Sequence, residues 1–201
     1  GQATKAAHTL ARAQDLLGDD ADVELAYGRA LALAGEPEGD EWLTRAARRP
    51  NAPPRLFVEA AAATRDGALA ERLLREGLGR AGQGDDAAPL GAALAALLAR
   101  RGQSDEALTL ALASVAANPN APAGLAALRA SYASARRWRE ALAVARRESE
   151  VGVPPAPAER LALALAAQDR DALAALTGDT ELPATALRAF LDGRATEDEL
   201  L

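Results

Sequence analysis

The sequence predicts an all-α fold made of stacked antiparallel helix pairs. Ala and Leu, two of the strongest helix formers, dominate the chain, whereas aromatic residues make up only 3% of it and β-branched residues are scarce. Pro and Gly recur in clusters that separate helical stretches of about 12 to 16 residues. The clusters return at a nearly constant interval, which is typical of a repeat protein whose units stack on their neighbours.

Five helix pairs are expected to follow one another along the chain. The first helices of these pairs are predicted to begin near Ala21, Pro54, Ala88, Pro122 and Ala156. The successive intervals are 33, 34, 34 and 34 residues. Residues 3–17 are expected to form a lone second helix, and residues 177–201 to form irregular helices with a capping-box pattern at Thr196 and Glu199. All of this is expected to be one domain, residues 1–201, excerpted from a longer chain.

The register of the repeat is clearest in the third and fourth units. Residues 106–108 read Glu-Ala-Leu, and the same three residues return 34 positions later as residues 140–142. When the two units are aligned, apolar positions meet apolar positions at helical spacing in both helices. Ala107 and Ala141 are expected where the two helices of a pair come closest, because only a methyl group fits at such a crossing.

In these repeated helix pairs the chain resembles the tetratricopeptide repeat family, whose unit is a helix, a turn and a helix in 34 residues. The unit from Ala88 carries the family positions best, with Leu94, Ala95, Leu98, Gly102, Ala107 and Pro119. The resemblance covers about residues 21–176 and is loose at both ends. It implies a right-handed superhelical solenoid of about five repeats, in which the first helix of every pair lines a concave wall.

The other units depart from the family pattern at particular positions. In the unit from Pro54 the second helix, residues 68–78, arrives about three residues early. In the unit from Pro122, Arg129 replaces a small residue and Arg136 replaces the turn Gly. Arg129 is therefore expected either to extend out of the helix pair or to meet an acidic residue there.

Composition excludes several classes of partner and site. The net charge of −6 and the pI near 5.0 argue against a general affinity for nucleic acid. Charged residues interrupt every apolar run before the roughly 20 residues that a membrane span requires, so no membrane insertion is expected. The absence of Cys excludes disulfides and thiolate chemistry and fits either a reducing or an oxidising compartment. Compartment and oligomeric state stay open.

Four basic pairs fall where helical patterns stop. Cations interact favourably with the exposed carbonyls at a helix C-terminus, so a structural role is expected, and a binding role is the alternative. The pairs are Arg48-Arg49, Arg100-Arg101, Arg136-Arg137 and Arg146-Arg147.

No catalytic, metal or cofactor site is predicted. His8 is the only imidazole, and one His without any Cys cannot assemble a zinc or copper site. Residues 20–24 alternate carboxylates as a calcium loop does, but they lack its central Gly and distal Glu, and capping of the next helix explains them. Residues 77–84 are rich in Gly but lack the Lys and Ser or Thr of a phosphate-binding loop. The chain is therefore expected not to be an enzyme.

The resemblance places eleven residues on the concave wall. They are Leu25, Arg29, Val58, Ala62, Arg65, Ala92, Ala96, Ala99, Ala126, Ala130 and Ala133. One interpretation is a groove for an amphipathic or extended partner segment, an acidic one in view of Arg29 and Arg65. The other is that Ala stands there only because it is abundant throughout and forms helices readily. Family members that grip a chaperone C-terminus carry Lys, Arg and Asn at these places, so a co-chaperone role is not expected.

The sequence therefore predicts a non-catalytic scaffold or adaptor that binds another protein through its concave groove. By analogy with arrays of similar composition in high-GC bacteria, an envelope, secretion or export assembly is the expected setting. The alternative is a regulatory or docking segment of a larger enzyme whose catalytic domain lies outside these residues.

Overall fold

The computed structural model describes residues 2–17, 20–50, 52–82 and 86–176. In these ranges the chain forms eleven α-helices and no strand, which confirms the all-α prediction. The irregular helices predicted for residues 177–201, with the capping box at Thr196 and Glu199, lie outside the described residues.

The helices are numbered in chain order. They are α1 Gln2–Leu17, α2 Ala21–Ala34, α3 Gly39–Arg48, α4 Pro54–Ala63, α5 Gly67–Ala81, α6 Ala87–Arg100, α7 Ser104–Ala117, α8 Pro122–Ser134, α9 Trp138–Glu150, α10 Pro157–Ala166 and α11 Arg170–Ala175. The first helices α2, α4, α6, α8 and α10 begin 33, 33, 35 and 35 residues apart, within one residue of the starts expected from the sequence.

Local sequence signals explain the helix starts. Three first helices begin with a Pro, whose fixed φ suits the first turn and whose missing N–H would be unpaired there in any case. These residues are Pro54, Pro122 and Pro157. Asp20 caps α2 by accepting hydrogen bonds from the backbone N–H groups of Asp22 and Val23, at 2.9 and 3.1 Å. Asp66 and Asp169 cap α5 and α11 in the same way.

In four of the five pairs the turn between the two helices contains a left-handed residue, whereas the turn between α4 and α5 does not. Gly35 after α2 has φ 84° and Gly102 after α6 has φ 75°. After α8 the corresponding residue is Arg136, with φ 56°, and after α10 it is Gln168, with φ 54°. Arg136 stands where the tetratricopeptide pattern has its turn Gly, and its backbone keeps the left-handed conformation that Gly adopts there. A side chain in this conformation carries a steric cost of about 1 kcal/mol.

Packing runs from each helix to its neighbours along the chain. Each first helix packs on the second helix of its own pair and on the second helix of the preceding pair. In addition, α2 packs on α4, α4 on α6, and α6 on α8. The largest core cluster lies between α2 and α7, around the fully buried side chains Leu43, Leu56, Phe57, Leu73 and Leu90.

Small residues allow the helices of a pair to cross closely. Ala107 in α7 and Ala141 in α9 are fully buried, in agreement with the crossing expected from the repeated Glu-Ala-Leu sequence. In the first pair both crossing positions are Gly. A Cβ added at Gly28 in α2 would lie 2.8 Å from the backbone nitrogen of Leu43, and one added at Gly39 in α3 would lie 2.7 Å from that of Ala32.

Two buried carboxylates join successive helices through arginines. Glu24 of α2 is fully buried and receives Arg45 at 2.8 Å and Arg49 at 2.6 Å. Arg129 of α8 meets Glu148 of α9 at 2.6 Å and also pairs with Glu159 of α10. Of the two outcomes expected for Arg129, the structure therefore shows the meeting with acidic residues. Removing one partner of such a buried ion pair is costly, because the charge of the other partner would be left uncompensated.

Candidate partner-binding face

The exposed and half-buried side chains of α2, α4, α6 and α8, together with Arg65 just after α4, form a surface that we term the first-helix face. Its continuity follows from packing, because each of these helices contacts the next one in the series. A ligand lying across the series would therefore touch side chains from four successive helix pairs.

The eleven residues predicted to line a groove fall into three groups. Arg29, Ala62 and Arg65 are exposed. Five are half-buried and reachable from solvent, namely Val58, Ala96, Ala126, Ala130 and Ala133.

The remaining three predicted residues do not line an accessible surface. Leu25, Ala92 and Ala99 are 3%, 2% and 8% exposed and belong to the hydrophobic core. Leu25 and Ala99 belong to the cluster that extends from α2 to α7, and Ala92 belongs to a cluster that joins α6, α7, α8 and α9. These three residues therefore contribute to packing between the pairs.

A cluster of ion pairs occupies the N-terminal part of the first-helix face. One guanidinium nitrogen of Arg55 donates to both carboxylate oxygens of Asp22, at 2.7 and 2.8 Å, and Asp22 raises the pKa of Arg55. Glu59 lies 3.6 Å from Arg55 and 3.7 Å from Arg29. The two cations and two anions compensate one another, so Arg29 does not present an unopposed positive charge.

Sequence reasoning missed Arg55 and Glu59 as members of this face. A signal was present, since Asp22 and Arg55 are 33 residues apart and therefore occupy the same place in successive repeats. Opposite charges at equivalent positions of adjacent units are brought together when the units stack.

The middle of the face carries two cations without a counterion. Arg65 follows α4 and Arg100 ends α6, and both side chains are exposed. Within the described residues neither takes part in an ion pair or a side-chain hydrogen bond. Towards α8 the half-buried positions of the face include the small side chains of Ala96, Ala126 and Ala130, together with Tyr132 and the paired Arg129. The face therefore combines two cations without a counterion with a set of small side chains.

The basic pairs serve the fold in the part of the chain that the structure describes. At least one arginine of each pair binds an acidic side chain. The ion pairs are Arg48 with Glu76, Arg49 with Glu24, Arg101 with Glu71, Arg137 with Glu140, and Arg146 with Asp169. Glu76, Glu24 and Glu71 belong to helices other than that of their arginine, and Asp169 caps α11. The structural role expected for these pairs therefore consists largely of linking one helix to another.

A network of such pairs links α5 to α7 and to Arg101 at the end of α6. Arg75 of α5 binds Glu71 at 2.9 Å and Glu106 of α7 at 2.7 Å, while Arg101 also pairs with Glu71. The hydrogen bond from Arg75 lowers the pKa of Glu71 and the pKa of Glu106. These four charges are therefore paired within the molecule.

The carboxylates of residues 20–24 are directed to three different groups. Asp20 caps α2, Asp22 binds Arg55, and Glu24 is buried against Arg45 and Arg49. Across the described ranges, no group of three or more His, Cys, Asp or Glu side chains is arranged to hold a metal ion. His8 is exposed on α1.

Among the helices of the described ranges, none combines the length and the apolar character needed to cross a bilayer. Comparison with known proteins gives no match, since no family model, no curated protein and no solved structure matches this chain.

Proposed function

We propose that the chain is a non-catalytic scaffold or adaptor that binds a peptide or helix of a partner protein along the first-helix face. The observation that carries the proposal is the contact of α2 with α4, α4 with α6, and α6 with α8, which aligns four helices side by side. Together with helix pairs that recur every 33 to 35 residues, it supports a solenoid similar to tetratricopeptide arrays. In a right-handed array of this kind the first-helix face would be the concave wall.

The proposed partner segment is acidic. Arg65 and Arg100 are the cations of the face that lack a counterion in the described part of the chain, whereas Arg29 and Arg55 are compensated by Asp22 and Glu59. Carboxylates of a bound segment would supply charge-assisted hydrogen bonds to these two guanidinium groups. The small alanines beyond them would let a helix or an extended backbone approach closely.

The setting proposed for this adaptor is a bacterial envelope, secretion or export assembly. Support comes from composition, since Ala-, Arg- and Gly-rich repeat arrays of high-GC bacteria often serve in such assemblies.

The test is a selection of binding peptides from a random library displayed on phage, followed by affinity measurements. The variant Arg65→Glu/Arg100→Glu reverses the two uncompensated charges. Its control, Arg12→Glu/Arg139→Glu, makes the same change of net charge at exposed arginines of α1 and α9. We expect the selected peptides to be enriched in Asp and Glu, and their affinity to fall about tenfold or more in the first variant only. Equal losses in both variants, or peptides without acidic enrichment, would contradict the proposal.

A further inference from the structure

A cavity lies between α1, α2 and α3, away from the middle of the first-helix face. Its volume is about 400 Å³, and it is partly open to solvent. On one side α1 contributes Ala7 and Ala11, and on the other side stand Tyr27, Leu31 and Trp42. Because α1 places methyl groups opposite aromatic rings, the space between the helices is not filled. The cavity is large enough for a long side chain of a partner.

Two aromatic rings form part of its wall. Tyr27 and Trp42 pack edge to face, with ring centroids 5.0 Å apart and an interplanar angle of 65°. The guanidinium carbon of Arg45 lies 5.1 Å from the centroid of the Trp42 ring, so this indole already takes part in one cation–π contact. The charge of Arg45 is compensated by Glu24 at 2.8 Å. The rings therefore offer a surface of the kind that attracts cations.

Uncompensated acids stand at the mouth of the same cavity. Glu36 and Glu38 line it and are exposed, and neither forms an ion pair within the described residues. Glu38 precedes α3 but does not cap it with its side chain, so its carboxylate is not used by the helix end. His8 and Tyr27 are the other titratable groups of the lining. Aromatic walls with two carboxylates at the opening are complementary to a cation that carries an apolar stem.

We propose that this cavity binds an arginine side chain of a partner segment. The aliphatic stem would pack against Leu31 and the aromatic rings, and the guanidinium would lie between the Trp42 ring and the carboxylates of Glu36 and Glu38. This site is separate from the proposed acidic-segment site, because it lies on different side chains and selects the opposite charge. Its test therefore does not depend on the outcome of the peptide selection.

The experiment uses NMR spectra of the two indole N–H groups, those of Trp42 and Trp138. The Trp138→Phe variant assigns the two signals. The probe is the blocked tripeptide acetyl-Ala-Arg-Ala-amide, and its matched control carries citrulline, which keeps the shape of arginine but is uncharged. We expect a saturable shift of the Trp42 signal with the arginine peptide only. Equal shifts with citrulline, or a shift confined to Trp138, would overturn the proposal.

A pair of charge variants tests the carboxylates. Glu36→Gln/Glu38→Gln is expected to weaken binding of the arginine peptide at least fivefold, consistent with the loss of two charge-assisted contacts. The control variant Asp105→Asn/Glu150→Gln removes the same net charge from exposed positions on α7 and α9 and should change the affinity less than about twofold. Equal effects in the two variants would mean that net charge alone attracts the peptide and would refute the site.

Discussion

The crossing of α2 and α3 depends on two glycines, and Gly28→Ala tests it directly. The added Cβ would lie 2.8 Å from the backbone nitrogen of Leu43, 3.0 Å from its Cγ and 3.1 Å from the carbonyl oxygen of Gly39. Two of these three atoms are backbone of α3, so a side-chain rotation cannot relieve the contact. The whole of α3 would have to move away from α2.

The expected magnitude follows from two opposing effects. Replacing Gly by Ala inside a helix stabilises it by up to about 1 kcal/mol. Overpacking a close contact costs about 1 to 3 kcal/mol. Gly28 is expected at the upper end of that range, because the added Cβ would meet two backbone atoms of α3. We therefore expect a net loss of about 2 kcal/mol in the free energy of unfolding, or roughly 4 to 8 °C in Tm for a chain of this size.

The assay is urea unfolding followed by far-UV circular dichroism, with Gly79→Ala as the matched control. Gly79 lies in α5, is exposed, and has no atom within 4 Å of an added Cβ, so this substitution should stabilise by about 0.5 to 1 kcal/mol. Gly39→Ala should destabilise as Gly28→Ala does, because its Cβ would lie 2.7 Å from the backbone nitrogen of Ala32. If Gly28→Ala stabilises as much as the control does, the close crossing is refuted.

Three further predictions concern the core and the ion pairs. Ala107→Leu and Ala141→Leu should each cost about 1 to 3 kcal/mol by overpacking, measured by urea unfolding, and neutral effects would contradict the hairpin register. Glu24→Gln should cost about 3 kcal/mol, because it leaves the guanidinium of Arg49 without its buried carboxylate, and an unchanged unfolding midpoint would refute this. The pKa of Glu71 is lowered from 4.5 in the folded state, so the unfolded chain binds a proton at this carboxylate more readily than the folded chain does. The free energy of unfolding should therefore fall as the pH drops below about 4.5. Glu71→Gln should reduce this pH dependence, measured as urea unfolding midpoints across the acid range.

The helices were predictable because their signals are local. Asp20, Pro54 and Pro122 mark helix starts by capping or by a fixed φ, and each acts on its own first turn. The turn at Arg136 could be located from the repeat interval, although its residue type argues against a left-handed backbone. Here the packing of α8 on α9 outweighs the local preference.

The candidate site was predictable only in part, because burial and charge pairing depend on neighbouring units. The repeat register predicts Leu25 and Ala92 on the face, yet both are buried in hydrophobic clusters that several helices share. Arg29 looked like a binding cation until Glu59 of the next unit was placed 3.7 Å away. Arg100 could be identified as a cation without a counterion in the described residues only after the ion pairs of the other arginines were known.

The packing of helices on near neighbours has a consequence for how this protein folds and opens. In the described part of the chain, extensive contact joins only helices that are at most two apart in chain order. Loops closed by such contacts are short, so folding should be fast and can begin in more than one place. Helix α6, in contact with α4, α5, α7 and α8 and with nine of its residues buried, should exchange its amide hydrogens most slowly, and protection should decline towards α1 and α11.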